Sequence, residues 1–224
     1  MTQHTATTTP AYQAIVKAAF TLFYELGYEG TTYELIAQKA HTKKTNVQYY
    51  FPKKKALFLL LIERLLDEVY DRAETLILTE NHLDEHTKIS LMGLIYYAVL
   101  LSDDKSCRLT YEAISHRDVT SELLTTNANW ASRSIAFIRD SEHYTERFMP
   151  AHIISTGGVY EYLYYSIGNG IAVDPLAVIN LHYKAFNPLA SQDMAVGDPS
   201  KLEHSIDKER MSSLVKNIRS SLLA

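Results

Sequence analysis

Residues 31–55 have the sequence TTYELIAQKAHTKKTNVQYYFPKKK, and this stretch decides the fold of the chain. Thr31 and Glu34 have the spacing of a capping box, in which a hydroxyl and a carboxylate satisfy free N–H groups at a helix N-terminus. The spacing predicts a short helix with Leu35, Ile36 and Ala40 on its apolar side. A turn and a second short helix follow, and three lysines begin the next helix. The stretch therefore predicts two short helices joined by a tight turn.

The second short helix is too polar to be a purely structural element. We place it at residues 43–50, with Thr42 as its N-cap, and expect only Val47 and Phe51 to be buried. The side chains that this placement leaves facing outward are Lys43, Lys44, Thr45, Asn46, Gln48, Tyr49 and Tyr50. Ammonium, amide and hydroxyl groups on one short helix suit the base edges and phosphates of a DNA major groove. A solvated helix beside an ordinary lysine run is the alternative.

The order of these residues resembles the TetR family of bacterial transcriptional regulators. In that family the recognition helix ends in an aromatic pair and a Phe, with a Lys three residues later, as in Tyr49-Tyr50-Phe51 and Lys54 here. The preceding helix is similar to the family at Ala18-Ala19, Leu22-Phe23, Gly27-Tyr28 and Thr31-Thr32. The resemblance implies an all-α fold, with an N-terminal three-helix helix-turn-helix head and a larger helical ligand-binding and dimerisation domain.

Three positions depart from the family pattern. The family usually has Gly where this chain has His41, so the resemblance predicts a positive φ at a non-Gly residue, which His tolerates better than most. Thr45 stands where Gly or another small residue is usual. Gln48 replaces the more usual Tyr, which leaves the DNA sequence preference open while the binding mode stays the same.

The resemblance and the side-chain chemistry together assign roles on DNA. Asn46 and Gln48 are candidates for adenine edges, with Lys44 and Thr45 beside them. The residues expected to hold the phosphates are Thr32, Lys43, Tyr49, Tyr50 and Lys54. Because one short helix reads few bases, we expect a homodimer whose heads lie about 34–36 Å apart on a pseudo-palindromic operator. The expected function is a ligand-responsive regulator, most simply a repressor.

Charge is distributed unevenly along the 224 residues. Residues 1–55 hold seven lysines and three glutamates, a net charge of +4, while the rest carries −8, which together make the −4 of the whole chain. A basic head on an acidic body is typical of a protein that contacts nucleic acid at one end. The single cysteine, Cys107, excludes a disulfide within the chain, and the longest apolar run, residues 93–101, is about half a membrane span. We therefore expect a cytoplasmic protein with no membrane partner.

The domain organisation follows from helical periodicity and caps. We expect a disordered tail at residues 1–8, the DNA-binding domain at 9–55 and the effector-binding and dimerisation domain at 56–224. Thr9-Pro10 predicts the start of the first helix and Gly27 its end. Pro52 precedes a long linking helix to about Leu78. Further helices are expected near residues 85–102, 105–117, 119–141, 150–168, 174–190 and 199–222.

Two of these helices carry apolar stripes that predict a dimer interface. In TetR-like proteins the comparable helix pair from each subunit forms a four-helix interface. The stripe residues are Ile153, Gly157, Tyr160, Tyr164 and Ile167 on the first helix and Ile179, Tyr183 and Phe186 on the second. Such spacing suits helices that cross at a shallow angle. An intrachain core is the alternative.

The body is rich in aromatic rings that carry a polar tip. Ten of the sixteen tyrosines lie after residue 55, and such rings can line a pocket for a flat or amphipathic molecule. The residues proposed for an effector pocket between the middle helices are Tyr96, Tyr97, Tyr111, Trp130 and Tyr162. Filling an ordinary core is the alternative for each of them.

Other chemistry has weaker support in the sequence. His82, Asp84, Glu85 and His86 could share a metal, and His116, His152 or His182 could hold a haem, but nothing completes either site. Signatures of phosphate-binding loops, zinc peptidases and nucleophilic hydrolases are absent from the sequence. We therefore expect no cofactor, no metal and no enzymatic activity. A haem or small-molecule sensor without DNA activity and an unrecognised helical enzyme are the alternatives.

Overall fold

The computed structural model describes residues 9–79, 85–192, 195–196 and 208–223, and these residues contain helices and no β-strand. The prediction of an all-α fold is confirmed. The helices are α1 Pro10–Gly30, α2 Tyr33–Lys39, α3 Lys44–Tyr50, α4 Lys54–Thr79, α5 Glu85–Leu100, α6 Asp104–Ser115, α7 Arg117–Ser134, α8 Ala136–Arg139, α9 Met149–Gly168, α10 Pro175–Phe186 and α11 Lys208–Leu223, with one π-helical turn at Tyr144–Phe148 before α9. The predicted tail, residues 1–8, lies outside the described residues.

Helix α1 begins as predicted and ends later than predicted. The Thr9 side chain accepts a hydrogen bond from the Tyr12 backbone N–H, and Pro10 occupies the first turn, where its missing N–H costs nothing. Gly27 has a φ of 81°, which bends the helix without ending it, and helical structure continues to Gly30. The helix end predicted at Gly27 is therefore a kink.

The N-cap of α2 differs from the predicted one by a single residue. The Thr32 hydroxyl accepts from the Leu35 backbone N–H at 3.3 Å, so Thr32 is the cap. Thr31 is buried, and its hydroxyl donates to the carbonyl oxygen of Gly27 at 2.7 Å. The predicted capping box between Thr31 and Glu34 is therefore wrong, because two adjacent threonines offer the same signal and the kink at Gly27 uses the first.

One continuous apolar core joins the head to the body. Phe23 and Tyr28 of α1 stack at a centroid distance of 5.9 Å, and Phe58 of α4 meets both rings edge-on. The C-terminal helix α11 returns to this junction, where Arg219 pairs with Asp103. Head and body are thus packed against each other through α1, α4, α6 and α11.

Within the body, α5 is central and packs closely on α10. Gly93 permits this approach, since a Cβ at that position would lie 2.4 Å from Cδ1 of Ile179 and 2.8 Å from the Tyr183 hydroxyl. The helix predicted at 119–141 is divided by the extended residue Ile135 into α7 and α8. The one predicted at 199–222 is described from Lys208 onward. In the part of the chain that the structure describes, no helix has both the length and the apolar character needed to cross a membrane.

Half of the predicted dimer stripe lies inside the chain. Tyr160, Ile179, Tyr183 and Phe186 are buried among α5, α9 and α10, so they belong to the intrachain core. The alternative of an intrachain core is correct for these four residues, because α5 occupies the side of the helix pair that the sequence assigned to a partner. The exposed or half-exposed members of the predicted stripe are Ile153, Gly157, Tyr164 and Ile167.

Candidate DNA-binding surface and effector cavity

The turn between α2 and α3 has the geometry expected for a helix-turn-helix. His41 adopts a φ of 51°, the only positive φ at a non-Gly residue in the described part of the chain. The Thr42 backbone N–H donates to the Ala37 carbonyl at 2.9 Å, which closes the turn. Val47 is fully buried and fixes α3 against the head. The prediction of a positive φ at His41 is therefore confirmed.

The outward face of α3 consists of the predicted polar residues. Tyr49 is 78% exposed, and the other exposed side chains of this face are Lys43, Lys44, Thr45, Asn46 and Gln48. Tyr50 is half-buried instead: its hydroxyl forms a hydrogen bond of 3.0 Å with Thr9 Oγ1, and its ring meets Tyr12 edge-on. Tyr50 therefore helps to attach the start of α1 to the end of α3.

Two of these side chains have partners within the helix-turn-helix. Lys44 Nζ lies 2.5 Å from Glu34 Oε1, and this hydrogen bond lowers the pKa of the Glu34 carboxyl. The amide of Asn46 donates to Thr42 Oγ1 at 2.9 Å. Lys43 has the N-cap conformation of α3, so the prediction that Thr42 is the cap is wrong. All of these groups lie near solvent, where such contacts stabilise little and exchange readily for other partners.

The lysine cluster at the start of α4 is used mainly within the protein. Lys54 Nζ donates to the Tyr28 carbonyl at 2.7 Å and lies 4.4 Å from the centre of the Tyr28 ring, and burial lowers its pKa. Lys55 Nζ pairs with Asp118 at 3.0 Å and with Glu122 at 2.5 Å. Lys54 and Lys55 therefore connect α4 to α1 and α7, whereas Lys53 is exposed.

A cavity of about 110 Å³ lies among α4, α5, α7, α8, α9 and α10, and we call it the body cavity. Three of the predicted effector residues line it: Tyr96 and Tyr97 from α5 and Trp130 from α7. Tyr111 and Tyr162 do not belong to it. Tyr111 stacks on Tyr164 at the surface with a centroid distance of 5.1 Å, and Tyr162 is 39% exposed. The predicted pocket therefore requires correction at these two positions.

The body cavity also has a polar wall, two of whose members, His152 and His182, are considered above only as possible haem ligands. Asn127, His152, Thr156 and His182 line it, from α7, α9 and α10. Burial lowers the pKa of His152 to about 4 and that of His182 to about 3, so both rings are neutral near pH 7. The four residues come from three helices, and their short-range sequence context resembles that of any helix interior, which is why no motif signalled them.

The histidines considered for metal or haem have other partners. His86 Nδ1 donates to the Ala195 carbonyl at 2.6 Å, and His116 forms a short contact with Glu29. Within the described ranges, no three His, Cys, Asp or Glu side chains are grouped as metal ligands would be. His82 and Asp84 lie outside the described residues.

A second cavity, of about 80 Å³, lies where the head meets the body, and we call it the junction cavity. Phe20 and Tyr24 of α1, Phe58 of α4, Ala113 of α6 and Leu222 of α11 line it. Tyr96 lines both cavities, so its side chain lies between the two spaces.

The head of the protein is similar in sequence to known regulatory proteins. Residues 15–61 match the sequence profile described as "Bacterial regulatory proteins, tetR family". The HTH-type transcriptional regulator RutR of Escherichia coli strain K12 is 44% identical over 55 residues, which are 25% of this chain and 26% of RutR. The chain thus spans about a quarter of the length of the first curated relatives that it matches.

Two further similarities extend beyond the head. The negative transcriptional regulator IcaR of the biofilm operon icaADBC, from Staphylococcus epidermidis strain ATCC 35984, is 26% identical over 95 residues, covering 42% of this chain and 49% of IcaR. The solved structure of the fatty acid degradation regulator FadR from Bacillus halodurans covers 81% of this chain and 97% of its own, with 18% identity and a TM-score of 0.50. This last likeness concerns the fold alone. The helix-turn-helix head of the chain, at residues 15–61, is thus similar to the tetR family of bacterial regulatory proteins.

Proposed function

We propose that the protein is a ligand-responsive transcriptional regulator, acting as a repressor, that binds a pseudo-palindromic operator as a homodimer in the cytoplasm. The observation that carries the proposal is the outward face of α3. A short helix fixed by a buried Val47 presents lysine, amide and phenol groups to solvent within the segment that matches the family. The relatives named above are transcriptional regulators, and the matched segment is the part that they share with this chain.

The exposed side chains of α3 divide by chemistry into two groups. Asn46 and Gln48 offer amides that can bond an adenine edge in the major groove. Lys43, Lys44 and Tyr49 can hold phosphate oxygens on either side. The Lys44–Glu34 contact lies at the surface, with 48% and 62% of the two side chains exposed, so DNA phosphate can replace Glu34 at small cost.

The apolar surface of α9 and α10 supports the homodimer. Ile154 is 57% exposed, Tyr165 is 61% exposed and Leu181 is 51% exposed. Ile153 and Tyr164, from the predicted stripe, lie beside them. Several large exposed apolar side chains on two packed helices are typical of an interaction surface, and a second copy of the same two helices would cover them in a two-fold arrangement.

The contacts between α6 and the end of α1 support a route from effector to DNA. Glu112 of α6 accepts the Glu29 backbone N–H at 2.9 Å, and Arg108 donates to the Glu25 carbonyl at 2.7 Å. A movement of α6 therefore moves the C-terminal end of α1. Tyr96 connects the body cavity to the junction cavity, which α6 lines, so a ligand beside Tyr96 can displace α6. By linkage, the factor by which the ligand changes the affinity for DNA equals the factor by which DNA changes the affinity for the ligand.

The experiment that tests the function is selection of binding sites from random DNA duplexes by the purified protein, followed by sequencing. We expect enrichment of a pseudo-palindrome, and we expect the variant Gln48→Ala to lose preference at one or two bases of each half-site. Lys216→Ala is the control, because this exposed lysine lies on α11, away from α3. Absence of enrichment at low salt by a folded dimer would contradict the proposal.

A further inference from the structure

The polar wall of the body cavity contains a chain of hydrogen bonds whose direction is fixed at one end. His152 Nε2 lies 3.0 Å from the Leu124 carbonyl oxygen, which can only accept, so Nε2 carries the hydrogen. A neutral imidazole has one N–H, and Nδ1 of His152 is therefore an acceptor. Thr156 Oγ1, at 3.2 Å from Nδ1, must donate its hydroxyl hydrogen to it.

The same reasoning assigns donor and acceptor in the next two hydrogen bonds, which lead to Tyr97 of α5. Since the Thr156 hydrogen is committed to His152, the contact of 3.2 Å between Thr156 Oγ1 and His182 Nε2 requires that His182 donates. Nδ1 of neutral His182 is then an acceptor, and the Tyr97 hydroxyl donates to it at 3.1 Å. The Tyr97 oxygen consequently has only lone pairs left for a molecule in the cavity.

The remaining N–H and O–H groups of this cavity are largely committed as well. Trp130 Nε1 donates to Asp67 at 2.7 Å, and the Tyr183 hydroxyl donates to the Ile89 carbonyl at 3.0 Å. Asn127 Nδ2 donates to the Tyr160 hydroxyl at 2.9 Å, while its Oδ1 is buried without a partner among the described residues. A buried acceptor left unbonded costs about 1–3 kcal/mol, which a ligand donor can recover.

We propose that the body cavity selects an uncharged, planar ligand with at least two N–H or O–H donors, which the Tyr97 oxygen and Asn127 Oδ1 accept. This inference rests on the proposed function, because the ligand would be the effector of that function. The acceptor-rich wall disfavours ligands that present only lone pairs. Among the described residues that line the cavity none is charged, so a carboxylate or phosphate would be desolvated without a counter-charge.

The planar shape is inferred from the rings that surround the acceptors. Trp130 and Tyr97 line the cavity together with Phe148 and Phe186. Aromatic side chains of this kind contact a flat molecule on its faces, while the two acceptors bind its edge.

Calorimetric titration with three matched probes tests the ligand class. The probes are 2,7-dihydroxynaphthalene, its dimethyl ether and 2-naphthoate, which share one ring system and differ in donors and charge. The ether is the most apolar of the three and would bind best if apolar burial decided affinity. We expect the diol to bind at least about tenfold more tightly than either comparator, a difference of about 1.4 kcal/mol.

The variant Thr156→Val tests the donor-to-acceptor direction of the hydrogen bonds between His152 and Tyr97. Without Thr156 Oγ1, His182 Nε2 has no acceptor, so the neutral ring carries its hydrogen on Nδ1 and donates to Tyr97. The Tyr97 hydroxyl hydrogen then faces the cavity, and the preference for diol over ether should fall about tenfold. Ser155→Ala is the matched control, because this buried hydroxyl on the same helix donates to the Ala151 carbonyl and does not line the cavity.

Tyr97→Phe provides a second measurement should Thr156→Val fold poorly. It removes the acceptor oxygen itself and should weaken the diol while leaving the ether unchanged. Equal binding of diol and ether by the unaltered protein, tighter binding of naphthoate, or no binding of the diol would overturn the proposed ligand class. An unchanged preference for diol over ether in both variants would show that the hydrogen bonds from His152 to Tyr97 do not determine ligand selection.

Operator binding, measured in the same samples, separates this inference from the proposed function. Tight diol binding with no change in operator affinity would support the ligand class and contradict the effector role. Operator binding without any diol binding would support the proposed DNA-binding function and overturn the proposed ligand class.

Discussion

The two polar surfaces of this protein, the outward face of α3 and the wall of the body cavity, are built in opposite ways. On α3 the amides and ammonium groups come from consecutive residues, lie in solvent and make weak local contacts. In the body cavity the hydroxyls and imidazoles come from three helices, are buried and are bonded to one another in a fixed direction. The first surface can exchange partners quickly, whereas the second is already ordered before a ligand arrives.

Acid should destabilise the protein through the body rather than the head. The pKa of His152 is about 4 and that of His182 about 3 in the fold, compared with about 6.5 in an unfolded chain. Below pH 6.5 the unfolded state therefore binds more protons, and the free energy of unfolding falls as pH drops toward 4. The slope from the two groups is at most about 2.7 kcal/mol per pH unit.

Chemical denaturation at pH 7, 6, 5 and 4 measures this slope. The double variant His152→Gln and His182→Gln should be less stable at pH 7 and should have a shallower dependence on pH. The same slope in both proteins would show that other groups dominate the acid response.

The kink of α1 should tolerate substitution far less than a glycine on the exposed face of α9 in a monomer. Gly27 has a positive φ, and an added Cβ would lie 2.3 Å from Glu112 Oε2, so Gly27→Ala should cost about 1–3 kcal/mol. Gly158 lies on the proposed dimer face but has nothing within 4 Å of an added Cβ in a single chain, so in a monomeric Leu181→Glu background Gly158→Ala should stabilise α9 by up to about 1 kcal/mol. Thermal and denaturant unfolding of the two variants measures the contrast, and equal effects would contradict it.

A charge on the apolar surface of α10 should separate the proposed homodimer without altering the head. Leu181→Glu places a carboxylate at the proposed interface and should convert the dimer to a monomer at micromolar concentration, because a buried unpaired charge is strongly unfavourable. Leu26→Glu, which alters an exposed leucine of α1, should leave the dimer intact. Sedimentation velocity distinguishes these results, and a dimer that survives Leu181→Glu would place the interface elsewhere.

The smallest effect distinguishes two neighbouring lysines at the start of α4. Lys53→Ala should leave the free energy of unfolding unchanged. If the exposed ammonium binds a phosphate, the variant should lower by about one unit the steepness with which the logarithm of the operator association constant falls with the logarithm of salt concentration. Lys54→Ala should also reduce the free energy of unfolding, because it removes the contact with the Tyr28 carbonyl. Operator binding across a salt series, with parallel unfolding curves, separates the two roles. A Lys54→Ala protein of unchanged stability would show that this contact contributes little.

The polar surface of α3 could be predicted from the sequence because its residues are consecutive. Capping signals, the single buried Val47 and the polar residues around it place the outward face without any knowledge of the body. The sequence places the cap of α2 one residue too early, since the adjacent hydroxyls of Thr31 and Thr32 are equivalent until the kink at Gly27 is known. The cap of α3 is also one residue later than predicted, at Lys43.

The body offered no such local signal. Tyr160, Ile179, Tyr183 and Phe186 have the spacing of a helix interface, and periodicity cannot tell whether the neighbouring helix belongs to the same chain or to a partner. Tyr111 and Tyr162 have the same chemistry as Tyr96 and Tyr97 but lie at the surface. Only the packing of the helices, such as α5 against α10, decides which of these side chains are buried and which are exposed.

The sequence by itself determined the helical class, the helix-turn-helix and the polar face of α3, because these depend on the order of residues within one or two turns of helix. The tertiary structure alone decided which tyrosines surround a cavity, which lysines are engaged in internal contacts and how the hydrogen bonds of His152 and His182 are directed. Those properties arise from contacts between residues far apart in the chain. They depend on which helices pack together, and a local pattern does not specify that arrangement.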